Sequence, residues 1–97
     1  VKVIWSPLAI EKLGDAAAFI ALDSPVAAEN WVNDVFDKAE LLATLPEMGR
    51  QVPELANSLY REILFGHYRV IYRLGQNVYI LTVRNCRQLL TDDDITE

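Results

Sequence analysis

Two hydrophobic periods run through this chain, three-to-four in its first half and two in its second. From Leu8 the apolar residues Ile10, Leu13, Ala17, Ile20 and Ala21 recur at helical spacing, and after a break the stripe Ala28, Trp31, Val32, Val35, Ala39, Leu42 and Leu45 does the same. Each stripe is preceded by a serine–proline pair, Ser6-Pro7 and Ser24-Pro25, which suits an N-cap followed by the first helical position. The first helix should therefore stop near Leu22. Two helices joined by two or three residues fold back as an antiparallel hairpin, and their shared stripe needs a sheet to cover it. Strand material is present on both sides. The β-branched run in residues 1–5 precedes the first cap, and residues 59–65, 68–74 and 78–84 are strand-sized segments separated by Gly66-His67 and Gly75-Gln76-Asn77. Both glycines are expected to supply a positive φ. Residues 46–57, with Pro46, Gly49, Pro53 and Asn57, read as an irregular loop.

The expected fold is α+β: an N-terminal strand, an antiparallel helical hairpin, and a three-stranded antiparallel meander forming one sheet packed on the helices. The first strand is placed beside the last. With 97 residues and 52% hydrophobic content, the chain fits one domain over residues 1–97, with 91–97 an acidic tail that should be solvated or partly helical. No apolar run approaches the ~20 residues that span a bilayer, and no basic-then-apolar leader pattern is present, so a cytoplasmic protein without membrane contact is expected. The single cysteine, Cys86, excludes an internal disulfide and a cysteine-based zinc site.

Charge is unevenly distributed. Residues 1–49 carry three basic and eight acidic side chains, residues 50–90 six and two, and residues 91–97 none and four. The net charge of −5 argues against a general nucleic-acid coat protein, because phosphate binding depends on summed Lys and Arg neutralisation. A local arginine site remains open. Strand alternation sends Val70, Tyr72 and Leu74 one way and Arg69, Ile71 and Arg73 the other; in the last strand Tyr79, Leu81 and Val83 oppose Val78, Ile80, Thr82 and Arg84. One face should pack on the helices and the other should gather arginines.

These residues carry a resemblance. Val3-Ile4-Trp5-Ser6-Pro7, the loop Leu45-Pro46-Glu47-Met48-Gly49-Arg50, the stretch from Arg61 through Tyr68-Arg69-Val70-Ile71-Tyr72 to Arg73, and the closing Val83-Arg84-Asn85-Cys86-Arg87 resemble the RelE/ParE superfamily of type II toxin–antitoxin toxins, closer to its ParE-like branch. The resemblance implies a toxin of a plasmid-stabilisation module, neutralised by a cognate antitoxin in a hetero-oligomer. ParE-like members poison DNA gyrase by binding; RelE-like members are endonucleases that cut mRNA on the ribosome. Non-toxic modules that only bind an antitoxin are a third reading.

Cleaving RNA at a ribose 2′-hydroxyl requires a base, positive groups for the phosphorane and an acid for the leaving oxygen. Arg61, Arg69 and Arg84 would be the candidate catalytic set, yet arginine stays protonated and is a poor base. Glu62 and Leu64 stand where nucleolytic relatives place basic residues, and Asn85 where they frequently have histidine. The ParE-like reading is therefore preferred, with Arg61, Arg69, Arg73, Arg84 and Arg87 as target-binding residues on one solvent-facing patch. For Arg69 and Arg73 the plainer explanation is a solvated edge position or pairing with Glu62 and Glu54, the available acids, and for any single surface arginine such an explanation outweighs a functional role. His67 reads as a turn residue, Cys86 as a half-buried strand end, Trp5 and Trp31 as core. Ala17, Ala21 and Ala28 are small enough to admit an antitoxin segment or to allow tight helix packing. No cofactor and no metal site are expected; Asp92-Asp93-Asp94 lacks the spacing of a calcium loop.

Overall fold

The computed structural model describes residues 1–95. β1 (Val3–Trp5) leads into α1 (Pro7–Ala21) and α2 (Pro25–Glu40), whose last turn tightens into a 3-10 segment, Leu41–Ala43. β2 (Arg50–Gln51), β3 (Tyr60–Phe65), β4 (Tyr68–Leu74), β5 (Val78–Asn85) and the short α3 (Asp92–Ile95) follow. The five strands form one sheet in the order β1-β5-β4-β3-β2, antiparallel except that β1 lies parallel to β5. Both helices of the hairpin cover one face. Among the described residues no helix is long and apolar enough to cross a membrane.

Local chemistry explains the joints. The Ser6 hydroxyl accepts from Ala9 N–H at 3.0 Å and donates to Leu81 C=O at 2.8 Å, so one side chain caps α1 and ties it to β5. Ser24 caps α2 in the same way through Ala27 N–H at 3.1 Å. Gly66 has φ +60° at the first position of the two-residue β3–β4 turn, the conformation that a II′ hairpin requires there. Gly75 does not adopt a positive φ, contrary to expectation, because the β4–β5 connection is closed by Gly75 N–H donating to Asn77 C=O.

The helices contribute Ala9, Leu13, Val35, Ala39 and Leu42 to the core, which meets Val70, Tyr72, Val78, Ile80 and Val83 of the sheet. Burying each of the valine, leucine and isoleucine side chains among them contributes ~1.5–3 kcal/mol. Trp5 and Trp31 are half-buried against this core, and their rings pack on Phe36 and Tyr68 at 5.0 and 5.2 Å, anchoring α2 at two points. The buried Ala16 and Ala28 let the two helices approach closely.

Two further features differ from what the sequence predicts. The loop after the hairpin contains β2, which pairs Arg50 with Glu62 and Gln51 with Arg61 at the sheet edge. A β-bulge also interrupts the β4–β5 ladder: Ile71 pairs with Thr82 while Tyr72 pairs with Ile80, so Leu81 is the extra residue. Strict alternation in β5 therefore fails after Ile80. Val83 shares the core face with Val78 and Ile80, and Arg84 is brought directly opposite Arg69.

Candidate functional site

The face of the sheet turned away from the helices holds Glu62 from β3, Arg69 and Ile71 from β4, and Thr82 and Arg84 from β5. All except Arg84 are buried, because the loop after β2 and the segment after β5 fold across them. Arg69 is 5% exposed and its guanidinium is filled: Nε donates to Glu62 Oε1 at 2.7 Å, and Nη1 and Nη2 take the two oxygens of Glu54 at 2.7 Å each. Glu62, 1% exposed, also accepts from Arg50 Nε at 2.6 Å. Two cations and two anions thus close on one another.

The electrostatics follow from that geometry. The hydrogen bonds from Arg69, helped by Leu90 N–H and opposed by burial, hold the Glu54 carboxyl at about 2 instead of 4.5. Glu54, and after it Glu62, raise the Arg69 guanidinium above its ordinary value although desolvation works against this. Directly opposed arginines repel, so the neighbouring Arg84 needs an acid of its own. It finds Asp94 of α3, with Nη2 3.0 Å from Oδ2.

The expected single arginine patch is not formed. Arg61 pairs with Tyr72 in the β3–β4 register and lies on the helical side, where its Nη1 donates to Gly49 C=O at 2.9 Å and Glu47 C=O at 3.3 Å. There it joins the Tyr72 hydroxyl, which donates to Pro46 C=O at 2.8 Å and accepts from Gly49 N–H at 2.9 Å, in clamping the loop before β2. Burial raises the Tyr72 phenol, with the Gly49 N–H and the Arg61 charge opposing. Arg73 is half-buried over the Tyr79 ring at 4.9 Å. Arg87 is exposed in the turn after β5, with its N–H donating to the Asn85 side chain. Of the five arginines, only Arg69 and Arg84 are adjacent across a strand pair.

The other singled-out residues fall as follows. His67 is an exposed turn residue whose C=O accepts from Cys86 N–H at 2.7 Å. Cys86 is exposed, not half-buried, because β5 ends at Asn85 and the chain turns outward. Asp94 is buried, contrary to the expectation of a solvated tail; residues 96 and 97 of that tail lie outside the described residues. Arg50, the last residue of the Leu45–Arg50 motif, pairs with Glu62. The sequence reading missed Asp94, whose signal was present in Thr91-Asp92-Asp93-Asp94: a threonine three residues before an acid is a capping pattern, and Asp94 Oδ2 accepts from Thr91 N–H at 2.8 Å.

Ala17, Ala21 and Ala28 line one shallow trough of about 380 Å³ on the outside of the helical hairpin, with Val32 and Glu29 beside them. A second cleft, about 610 Å³, runs between the hairpin tip and the far end of the sheet, lined by Phe19, Ala27, His67, Tyr68 and Arg87 among others. At the tip Phe19, Leu22 and Val26 are 65%, 81% and 68% exposed, so that apolar side chains are gathered there.

Comparison with known proteins follows the same lines. Residues 3–90 match the family described as ParE toxin of type II toxin-antitoxin system, parDE. The chain is 32% identical over 89 residues to "Putative toxin Y4kP" of Sinorhizobium fredii, covering 90% of each sequence. Its fold matches a solved chain described as "Chromosomal ParDE TA system from P. aeruginosa" with a TM-score of 0.70 at 18% identity, over 88% of this chain and 95% of that one.

Proposed function

The chain belongs to the ParE toxin family of type II toxin–antitoxin systems, and from that premise we propose that it inhibits DNA gyrase by binding and is neutralised by a cognate antitoxin. The observation that carries this reading is the saturation of the outer sheet face. Arg69 is enclosed by Glu62 and Glu54, and Glu62 is committed to Arg50 and Arg69. A nuclease would need a carboxylate or imidazole free to take a proton beside an exposed guanidinium. On that face Glu62 is neither exposed nor free, and the exposed His67 lies off it, in the tip cleft with Arg87. The saturated face favours a function that rests on contact surface.

Arg87, with Arg73 and Arg84 on the same C-terminal half, supplies the target-binding cations in this reading; Arg61 and Arg69 act through the loop and strands they hold. The antitoxin covers the apolar hairpin tip and the trough at Ala17, Ala21 and Ala28, in the helix-in-groove manner. Both contacts are made inside the cytoplasm.

Inducible expression of the chain without antitoxin tests the proposal. Growth arrest with a DNA-damage response and intact mRNA supports it. Cuts in ribosome-bound mRNA would instead identify an endonuclease, and unimpaired growth would identify a module that only binds its antitoxin.

A further inference from the structure

Arg69 and Arg84 stand side by side on the outer sheet face but are satisfied very differently. Three nitrogens of Arg69 reach carboxylate oxygens, and both oxygens of Glu54 are used. Arg84 offers Asp94 only Nη2, which also points at Leu89 C=O at 3.4 Å, while its Nε is buried without a hydrogen-bond partner. A guanidinium presents Nε and Nη as a fork matched to two carboxylate oxygens, so this contact leaves half the fork empty. Asp94 is meanwhile divided among Arg84, the Thr82 hydroxyl at 3.4 Å, and Thr91 N–H and Oγ1 at 2.8 and 3.1 Å. It is a poor ligand in a good site.

Gln88 is fixed to the end of β5, its N–H donating to Asn85 C=O at 2.9 Å and its Oε1 accepting from Asn85 N–H at 3.3 Å. Beyond it the segment that delivers Asp94 is lightly held: before α3 its remaining ties to the sheet and loop are Arg69 to Gln88 C=O at 3.4 Å, Arg84 to Leu89 C=O at 3.4 Å and Leu90 N–H to Glu54 at 3.2 Å, and Leu89 is 73% exposed. We propose that Arg84 and Thr82 form a docking site for a carboxylate of an acidic peptide segment in a partner protein, and that Asp94 fills it in cis until such a segment displaces it. An acidic peptide is the occupant because one already sits there. A nucleic-acid backbone would have to approach a chain of net charge −5. The inference stands on this contact and not on the identity of the toxin's target.

Fluorescence anisotropy with a labelled peptide reproducing residues 91–95 tests it on the full chain. Asp94→Asn should bind the peptide at least tenfold more tightly than the unaltered chain. Adding Arg84→Gln to that variant should return binding to the starting level, and inorganic phosphate at the peptide's concentration should not compete. Equal binding by the unaltered chain and Asp94→Asn, indifference to Arg84→Gln, or phosphate competing as well as the peptide would each overturn the proposal. Should Asp94→Asn fail to fold, hydrogen exchange of residues 88–95 in the unaltered chain decides: saturating peptide should accelerate it several-fold, and unchanged exchange would overturn the proposal.

Discussion

Replacing Glu62 by glutamine asks whether Arg69 is held by the fold or available to a target. Glu62 accepts from Arg50 Nε at 2.6 Å and Arg69 Nε at 2.7 Å at a site 1% exposed. Among Arg50, Arg69, Glu54 and Glu62 the charges cancel, so neutralising Glu62 leaves one positive charge uncompensated. The amide keeps one acceptor and turns donor hydrogens toward guanidinium hydrogens. With charged hydrogen bonds each contributing ~1.5–3 kcal/mol, a loss of about 3 kcal/mol is expected for Glu62→Gln. Glu62→Ala should cost ~3–5 kcal/mol, the usual penalty for stranding half of a buried pair. Glu62→Leu combined with Arg69→Met should recover part of the loss, because replacing both buried charges by apolar groups removes their desolvation cost, while Glu54 and Arg50, which reach solvent, lose these partners. Urea midpoints at constant slope measure these differences, and each kcal/mol should move Tm by ~4–8 °C in a domain of this size. A Glu62→Gln midpoint indistinguishable from the original would refute the reasoning and return Arg69 to the list of free cations.

Other outcomes follow from single contacts. A Cβ at Gly49 would lie 2.6 Å from Glu62 C=O and 2.7 Å from the Tyr72 hydroxyl, so Gly49→Ala should destabilise by at least ~2 kcal/mol and loosen the loop before β2, seen as faster hydrogen exchange there. Glu54 has a carboxyl depressed to about 2 in the folded chain, so its stabilisation is present above pH 4.5 and is lost as pH falls from 4.5 through 2. Solvent screening at the rim reduces this to ~1 kcal/mol, and Glu54→Gln should remove that part of the acid-unfolding curve.

The element order was legible because each boundary carries its own local chemistry: Ser6-Pro7 and Ser24-Pro25 cap the helices, and Gly66 turns the hairpin. The place of β1 beside β5 also agreed. The bulge at Leu81 was not legible, since residues 78–83 are apolar on both faces apart from Thr82 and give alternation nothing to contradict. Its consequence, Arg84 opposite Arg69, was hidden with it. The side of Arg61 could have been read, because a two-residue turn fixes Phe65 against Tyr68 and hence Arg61 against Tyr72. Glu62 and Glu54 were named as available acids, but only tertiary packing decides that both close on Arg69. Asp94 was read as solvated since a run of aspartates ordinarily is; Thr91 and Arg84 make this one different.

Incubating the purified chain with DNA gyrase, supercoiled DNA and ATP, and trapping cleavage complexes with detergent, tests binding inhibition most directly. Linearised DNA should accumulate in proportion to the chain added, and equimolar antitoxin should abolish it. Gyrase that turns over unchanged, alongside ribosome-bound mRNA cut by the same preparation, would contradict the account.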